Sequence, residues 1–218
     1  TLKNQTLTDN SKINVVDIQN GVDLENYQTL DKKLLREEYG ISNKKTIFIS
    51  TGSMTPRKRI SETANAFLKA ELERESAELW FVGDGFCFEE YKKEYAGNSQ
   101  IKFWGRRSDI QELLNISDYF VSSSESEGLP LAVLEAIAVG CKVYLSDIEP
   151  HKEILEEFVF AGEIYSLGDE DALANLFKKA MKVSETEECK ISLEGTCFDI
   201  NIMGERYCEY YNKIEKTI

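Results

Sequence analysis

Short apolar, β-rich runs alternate with segments of helical periodicity along most of this chain, and that alternation constrains the fold more than any single residue does. Ile13 to Ile18, Thr46 to Ser50, Leu79 to Val82, Ile101 to Trp104, Tyr119 to Val121 and Lys142 to Leu145 read as strands. Helical patterns lie between them at Asp31 to Tyr39, Ile60 to Glu73, Phe86 to Tyr95, Asp109 to Asn115 and Pro130 to Val139; Asp171 to Met181 and Met203 to Ile214 follow. Repeated βα units of this length imply a doubly wound α/β fold, a Rossmann-like parallel sheet with helices on both faces. The 218 residues suit one good-sized domain, in which about 70 per cent of the unfolded surface is buried.

The special residues sort to one edge of that sheet. Gly52 and Arg57-Lys58 follow one strand, Gly83-Asp84-Gly85 the next, Gly105-Arg106-Arg107 another and Glu127-Gly128 the one after. In an open parallel sheet, ligands bind at the carboxyl ends of the strands, so these groups are expected to converge on one crevice.

The last of those loops carries the densest chemistry. Ser122-Ser123-Ser124-Glu125-Ser126 is polar and loop-forming, and Glu127-Gly128-Leu129-Pro130-Leu131-Ala132-Val133-Leu134-Glu135 sets two carboxylates around the start of an apolar helix. Pro130 suits the first helical position, where its missing N–H would be unpaired anyway. Free N–H groups at a helix start, with the positive end of the dipole behind them, favour a phosphate or other oxyanion, and Gly128 lets that backbone come close. Glu127 stands just outside the helix. Glu135 is the only charge between Pro130 and Val139, so a largely buried carboxylate in need of a donor is expected there. Plainer roles remain open: Glu127 as an acid stabilising a helix N-terminus by roughly 0.3 to 1 kcal/mol, Glu135 as a solvent-facing side chain.

Net charge is −13, which argues against a nucleic-acid partner and a generally basic membrane-facing surface. It does not exclude an anionic ligand, because at physiological salt the Debye length is about 8 Å and the groups touching the anion decide. Local positive charge occurs at Arg57-Lys58-Arg59 and Arg106-Arg107. No apolar run is long enough to span a membrane, and Thr1 onward lacks a signal-peptide pattern. The five cysteines are scattered without C-x-x-C spacing, which suggests neither zinc nor a disulfide framework and fits a reducing cytoplasm.

The stretch from Glu127 to Glu135, its internal Gly-Leu-Pro and the Glu-Ala-Ile-Ala-Val-Gly of Glu135 to Gly140 resemble the E-x7-E signature of retaining glycosyltransferases of the GT-B architecture, in particular the glycosyltransferase group 1 (GT4) family. The resemblance implies that Glu127 lies against a donor sugar, Glu135 holds the ribose hydroxyls, and the Gly128-Leu129 backbone with the helix start at Pro130 binds diphosphate and sugar. Ser50 to Lys58 is similar to the family's glycine-then-lysine loop, with Gly52, with Ser53 where Arg is frequent, and with Lys58 at the spacing of the diphosphate lysine; Arg57 could compensate for Ser53, and a solvated basic turn capping the helix from Ile60 stays open as the plainer reading. Phe103 to Ile110 is similar to the segment before the short helix beside the nucleotide base, which would bring Arg107 to the diphosphate or base, although Ser108 or Asp109 is more simply a helix N-cap. Asn20-Gly21-Val22-Asp23 resembles a turn found early in the family's C-terminal domains, with a plain turn as the other reading.

By that resemblance, residues 13–218 form the nucleotide-sugar-binding, C-terminal half of a GT-B fold, ending in a helix that crosses back. Residues 1–12 are then linker or remnant of an N-terminal acceptor-binding domain, and the fragment alone is inactive. The parent enzyme would move a sugar from a nucleotide-diphosphate donor to an acceptor hydroxyl with retention, in polysaccharide or glycoconjugate synthesis, and peripheral membrane association of that enzyme stays open. Lys58 and Glu127 would be catalytic, with no covalent nucleophile and no metal or other cofactor required. Two other readings remain: a GT-B nucleotide-sugar epimerase and a non-catalytic nucleotide-binding module.

Three further motifs invite chemistry and are better read as structure. Gly83-Asp84-Gly85 fails the dinucleotide fingerprint, since Phe88 stands where the third glycine would be, and reads as a tight turn. Asp169-Glu170-Asp171 has the metal-binding D-x-D pattern of the other main glycosyltransferase fold but directly precedes a helix, where acids cap. His151, the only histidine, reads as structural or donor-adjacent rather than as a general base.

Overall fold

The computed structural model describes residue 16, residues 18–183 and residues 191–215. Residues 1–12 and most of the expected strand from Ile13 to Ile18 lie outside them, and Val16 and Ile18 are not in a strand. Two compact units divide the chain, Glu25–Ser192 and a second made of Thr1–Leu24 with Leu193–Ile218.

The larger unit is a six-stranded sheet, α/β and Rossmann-like. Its strands are β1 (Thr46–Thr51), β2 (Ala77–Val82), β3 (Ile101–Gly105), β4 (Tyr119–Ser122), β5 (Lys142–Ser146) and β6 (Gly162–Tyr165). They run parallel in the order β3-β2-β1-β4-β5-β6. From β1 the chain winds outward to β3, then returns to β4 and winds the other way. Right-handed crossovers therefore send the two sets of helices to opposite faces. The helices are α1 (Lys32–Glu38), α2 (Ile60–Lys69), α3 (Phe88–Glu94), α4 (Ile110–Ile116), α5 (Leu131–Ala138), α6 (Glu149–Glu157) and α7 (Glu170–Ala180).

Five strands fall where the apolar runs predict them. β6 and α6 do not: Gly-Glu-Ile-Tyr pairs on one side only, at the sheet's edge, and an edge strand need not read as a buried apolar run. α2 stops short of the expected Glu73 because Ala70 closes its last turn and Glu71 takes a left-handed φ of 50°. On one face, α2 packs against α7 over an aromatic cluster. Phe48 of β1 meets Phe177 edge-on at 4.7 Å and stacks on Tyr119 at 5.2 Å, which stacks on Tyr144 at 5.0 Å. At the opposite end of the strands, Asp118 pins the sheet: it accepts from Lys32 at 2.6 Å, Arg36 at 2.7 Å and the Ile47 amide at 2.7 Å.

The smaller unit holds α8 (Ile200–Glu215). Val22 of the Asn20–Asp23 turn bridges Asp199 in parallel, with Val22 N donating to Phe198 O at 2.7 Å. Tyr207, Tyr211 and Ile214 of α8 are exposed.

Candidate functional site

The first three loops at the carboxyl edge are knitted by their backbones. Gly52 N donates to Val82 O at 3.0 Å, Gly83 N to Gly105 O at 2.8 Å, and Met54 N to Asp84 O at 3.0 Å. Gly83 sits at φ 137°, and a Cβ there would fall 1.9 Å from the Gly52 carbonyl oxygen. Only glycine fits, so the tight turn at Gly83-Asp84-Gly85 braces the loop that carries Gly52 and Lys58.

The fourth loop closes on the first. Pro56–Lys58 form a 3-10 turn, with proline at its start and Arg59 left-handed at φ 48° at its end. Glu125 N donates to Arg57 O at 3.0 Å, and the Arg57 guanidinium returns a bond to Ser126 O. Glu127 then receives Lys58 Nζ at 2.6 Å and Arg57 Nη1 at 2.9 Å. Its carboxylate is only 8% exposed, while Lys58 is 19% and Arg57 41% exposed. Burial opposes the charge on Glu127, but hydrogen bonds from Lys58, Arg57 and Ser124 outweigh it and hold the carboxyl below its ordinary value.

These groups border a cavity of about 170 Å³ at the point where the winding reverses, between the ends of β1 and β4 and the start of α5. Ser50, Thr51, Ser122, Ser124, Lys58 and Glu127 supply its polar wall; Leu129 and Pro130 stand on the helix side. α5 begins one residue later than expected, with Pro130 as its N-cap at φ −80°, ψ 79°. Proline has no side-chain acceptor and makes no capping bond here. The positive end of the helix is thus left for a ligand. A Cβ on Gly128 would meet nothing within 4 Å, so that backbone is open to close approach.

Other expected site residues are placed elsewhere. Glu135, further along α5, is half-buried and does not line this cavity. Burial raises its carboxyl, partly offset by a hydrogen bond from the Tyr27 hydroxyl, and Tyr27 is itself raised by burial and by that carboxylate. Arg107 turns onto Asp109, donating at 2.8 and 2.5 Å, and lies over the Trp104 ring at 5.3 Å. Asp109 is the N-cap residue of α4 but makes no capping bond. It accepts instead from Arg107, which chiefly holds it well below the carboxylate range, and from Tyr39 at 2.6 Å. Ser53 is exposed beside Gly52.

Asp169 caps α7, accepting from the Ala172 amide at 2.8 Å, as expected of the D-x-D segment. His151 lies fully buried in α6, bonded to Ser146. Sequence reasoning missed three contributors: Tyr27, for which no local signal exists, and Ser124 and Ser146. The serine run from 122 reads only as a loop, and what its members touch depends on neighbouring strands.

The family model for glycosyl transferases group 1 matches residues 31–190. An Escherichia coli UDP-Gal:alpha-D-GlcNAc-diphosphoundecaprenol alpha-1,3-galactosyltransferase is 32% identical over 176 residues, 77% of this chain and 44% of that protein. A Bacillus anthracis N-acetyl-alpha-D-glucosaminyl L-malate synthase is 29% identical over 78% of this chain and 44% of its own length. This chain therefore spans under half the length of these relatives. Among solved structures, a Rickettsia africae glycosyltransferase superposes with TM-score 0.80 at 23% identity, over 99% of this chain and 62% of that one. Anabaena HepE in complex with UDP-glucose gives 0.76 at 22%, over 90% and 57%. At these identities the superpositions speak for the fold.

Proposed function

The chain belongs to the glycosyl transferases group 1 family, and we propose that it forms the donor-binding half of a retaining, GT4-type enzyme. That enzyme would transfer a sugar from a nucleotide-diphosphate donor to an acceptor hydroxyl in glycoconjugate synthesis. The observation that carries this reading is the clasp of Lys58 and Arg57 on the buried Glu127, at the mouth of a hydroxyl-lined cavity beside an uncapped helix start. Cations and a helix N-terminus address a diphosphate; a carboxylate and hydroxyls address a sugar.

In this reading Lys58 and the start of α5 stabilise charge developing on the leaving diphosphate, the electrostatic contribution that usually dominates catalysis. Glu127 orients the sugar, and Glu135 receives the ribose hydroxyls once the Tyr27 hydroxyl yields. Because Lys58 and the helix dipole supply positive charge, the scheme has no step that requires a metal. The acceptor would be held by a separate N-terminal domain, and the whole enzyme would act in the cytoplasm. A UDP-sugar is the first donor to try, since the Escherichia coli relative is named for UDP-Gal and HepE is solved with UDP-glucose.

The test is calorimetry of the folded chain with UDP, GDP and ADP and with their sugar conjugates. One nucleotide is expected to bind, and its sugar conjugate to bind more tightly. Binding of none by folded protein overturns the donor-site reading.

A further inference from the structure

His151 is the only histidine in the chain and is fully buried behind the residues that line the cavity, without lining it itself. Its Nδ1 lies 2.9 Å from the Ser146 carbonyl oxygen and 3.2 Å from Ser146 Oγ. The hydroxyl proton of Ser146 is committed to the Ser124 carbonyl at 2.6 Å, and a hydroxyl has only one proton to give. Nδ1 therefore carries the imidazole proton and donates it to Ser146 O. Nε2 is left as a bare buried acceptor with no hydrogen-bond partner among the described residues. Burial lowers the ring's proton affinity, against the pull of the Ser146 carbonyl and the smaller, opposed fields of Glu127 and Lys58, and so keeps it neutral.

The contacts continue toward the cavity. Ser124 Oγ accepts from Ser122 Oγ at 3.2 Å, which leaves its own proton free, and Ser124 lines the same cavity as Glu127, whose carboxyl it helps to hold down. Hydrogen bonds from His151 to Ser146 and from Ser146 to Ser124 thus join α6 through the end of β5 to the loop after β4, where Ser124 shares the cavity wall with Glu127. An unpaired buried nitrogen is a standing cost, and a side chain offering only the Nδ1–H would avoid it.

We propose that His151 is a positioning residue for Glu127: its Nδ1–H fixes Ser146, whose hydroxyl fixes the Ser124 main chain, so that the Ser124 hydroxyl is presented to the Glu127 carboxylate. This rests on the donor-site reading for its consequence, the orientation of the sugar, but not for its geometry.

With a single histidine, 15N NMR of histidine-labelled wild-type protein reads the tautomer directly. A protonated Nδ1 and bare Nε2 are expected at neutral pH, and the opposite tautomer overturns the proposal. Three variants then separate the nitrogens: His151→Asn supplies an N–H where Nδ1 stands, His151→Gln supplies one where Nε2 stands, and His151→Ala supplies neither. Loss of one hydrogen bond to a charged group should cut the UDP-sugar to UDP affinity ratio about tenfold in the Gln and Ala variants, while Asn retains it and UDP binding itself is unchanged. The UDP-sugars tried are UDP-glucose, UDP-galactose and UDP-N-acetylglucosamine. Retention by Gln with loss by Asn puts the role on Nε2 and overturns the proposal, as do four equal ratios. In nucleotide-free protein, 13C NMR should show the Glu127 carboxyl titrating higher in the Ala and Gln variants and restored in Asn. If the wild type binds no nucleotide, the donor reading fails, and the tautomer and this titration still decide the role of His151.

Discussion

Replacing Glu127 with glutamine should weaken the protein and strengthen its hold on a bare nucleotide at once. Glu127 is 8% exposed and takes Lys58 at 2.6 Å and Arg57 at 2.9 Å. The isosteric amide keeps one acceptor for Lys58, so the loss is the charged part of a hydrogen bond worth about 1.5–3 kcal/mol when intact. Arg57 is 41% exposed and its share is discounted to about 0–1 kcal/mol for solvent screening. A net cost of about 1–2 kcal/mol follows, which lowers Tm by roughly 2–8 °C for a chain of this size. The cluster of two cations and one carboxylate becomes two uncompensated cations. Against a phosphate charge about 6 Å away, one extra unit charge is worth ~1 to 3 kcal/mol for effective dielectrics from 80 down to 20; with Lys58 and Arg57 partly in water, the lower figure applies. UDP should therefore bind about fivefold more tightly to E127Q, while the sugar conjugate loses its charged acceptor and the ratio of the two affinities falls at least tenfold. Calorimetry with UDP and UDP-sugar, beside a thermal melt, measures all three quantities. Weaker UDP binding with an unchanged ratio would refute the reasoning, because it would mean that Glu127 neither screens Lys58 nor touches the sugar.

Lys58→Met leaves the Glu127 carboxylate with only its exposed arginine and Ser124, and should cost about 1–3 kcal/mol in urea unfolding and more than tenfold in UDP affinity. For Glu135 the sign can be worked out: the fold raises its carboxyl above the ordinary 4.5, so its contribution to stability is present at low pH and lost as pH rises through the raised value. Ribose binding needs the charged form, so UDP affinity should fall as pH drops through that same value; a profile flat across it removes Glu135 from the ribose site. Tyr27→Phe takes away the hydrogen bond that offsets burial and should move that midpoint upward. The glycines give a paired test by thermal melt. Gly83→Ala, whose Cβ would sit 1.9 Å from Gly52 O, should cost about 3 kcal/mol or more, and Gly128→Ala less than about 0.5 kcal/mol. Donor affinity should fall in both, in the second because a Cβ stands where the ligand approaches.

Much of the fold was legible because it rests on local physics. Apolar runs, helical periodicity and the glycines after them place five of the six strands and all helices but α6 within a few residues, and a parallel α/β order follows from crossover geometry. The misses lie where local signal is thin. β6 is a sheet edge with little to bury, Glu71 ends α2 by taking a left-handed conformation, and the expected capping bond of Asp109 gave way to Arg107 and Tyr39.

Sequence alone also determined that Gly52, Lys58 and Glu127 stand at one edge of the sheet, since each follows a strand running the same way. Which groups touch was decided only in three dimensions. Lys58 and Glu127 are 69 positions apart in sequence and in contact at 2.6 Å, whereas Arg107 finds its carboxylate two residues away. Tyr27 for Glu135, and Ser146 for His151, carry no mark along the chain. Electrostatic energy and hydrogen bonding depend on distance through space and on burial, and both are set by how the strands and loops pack.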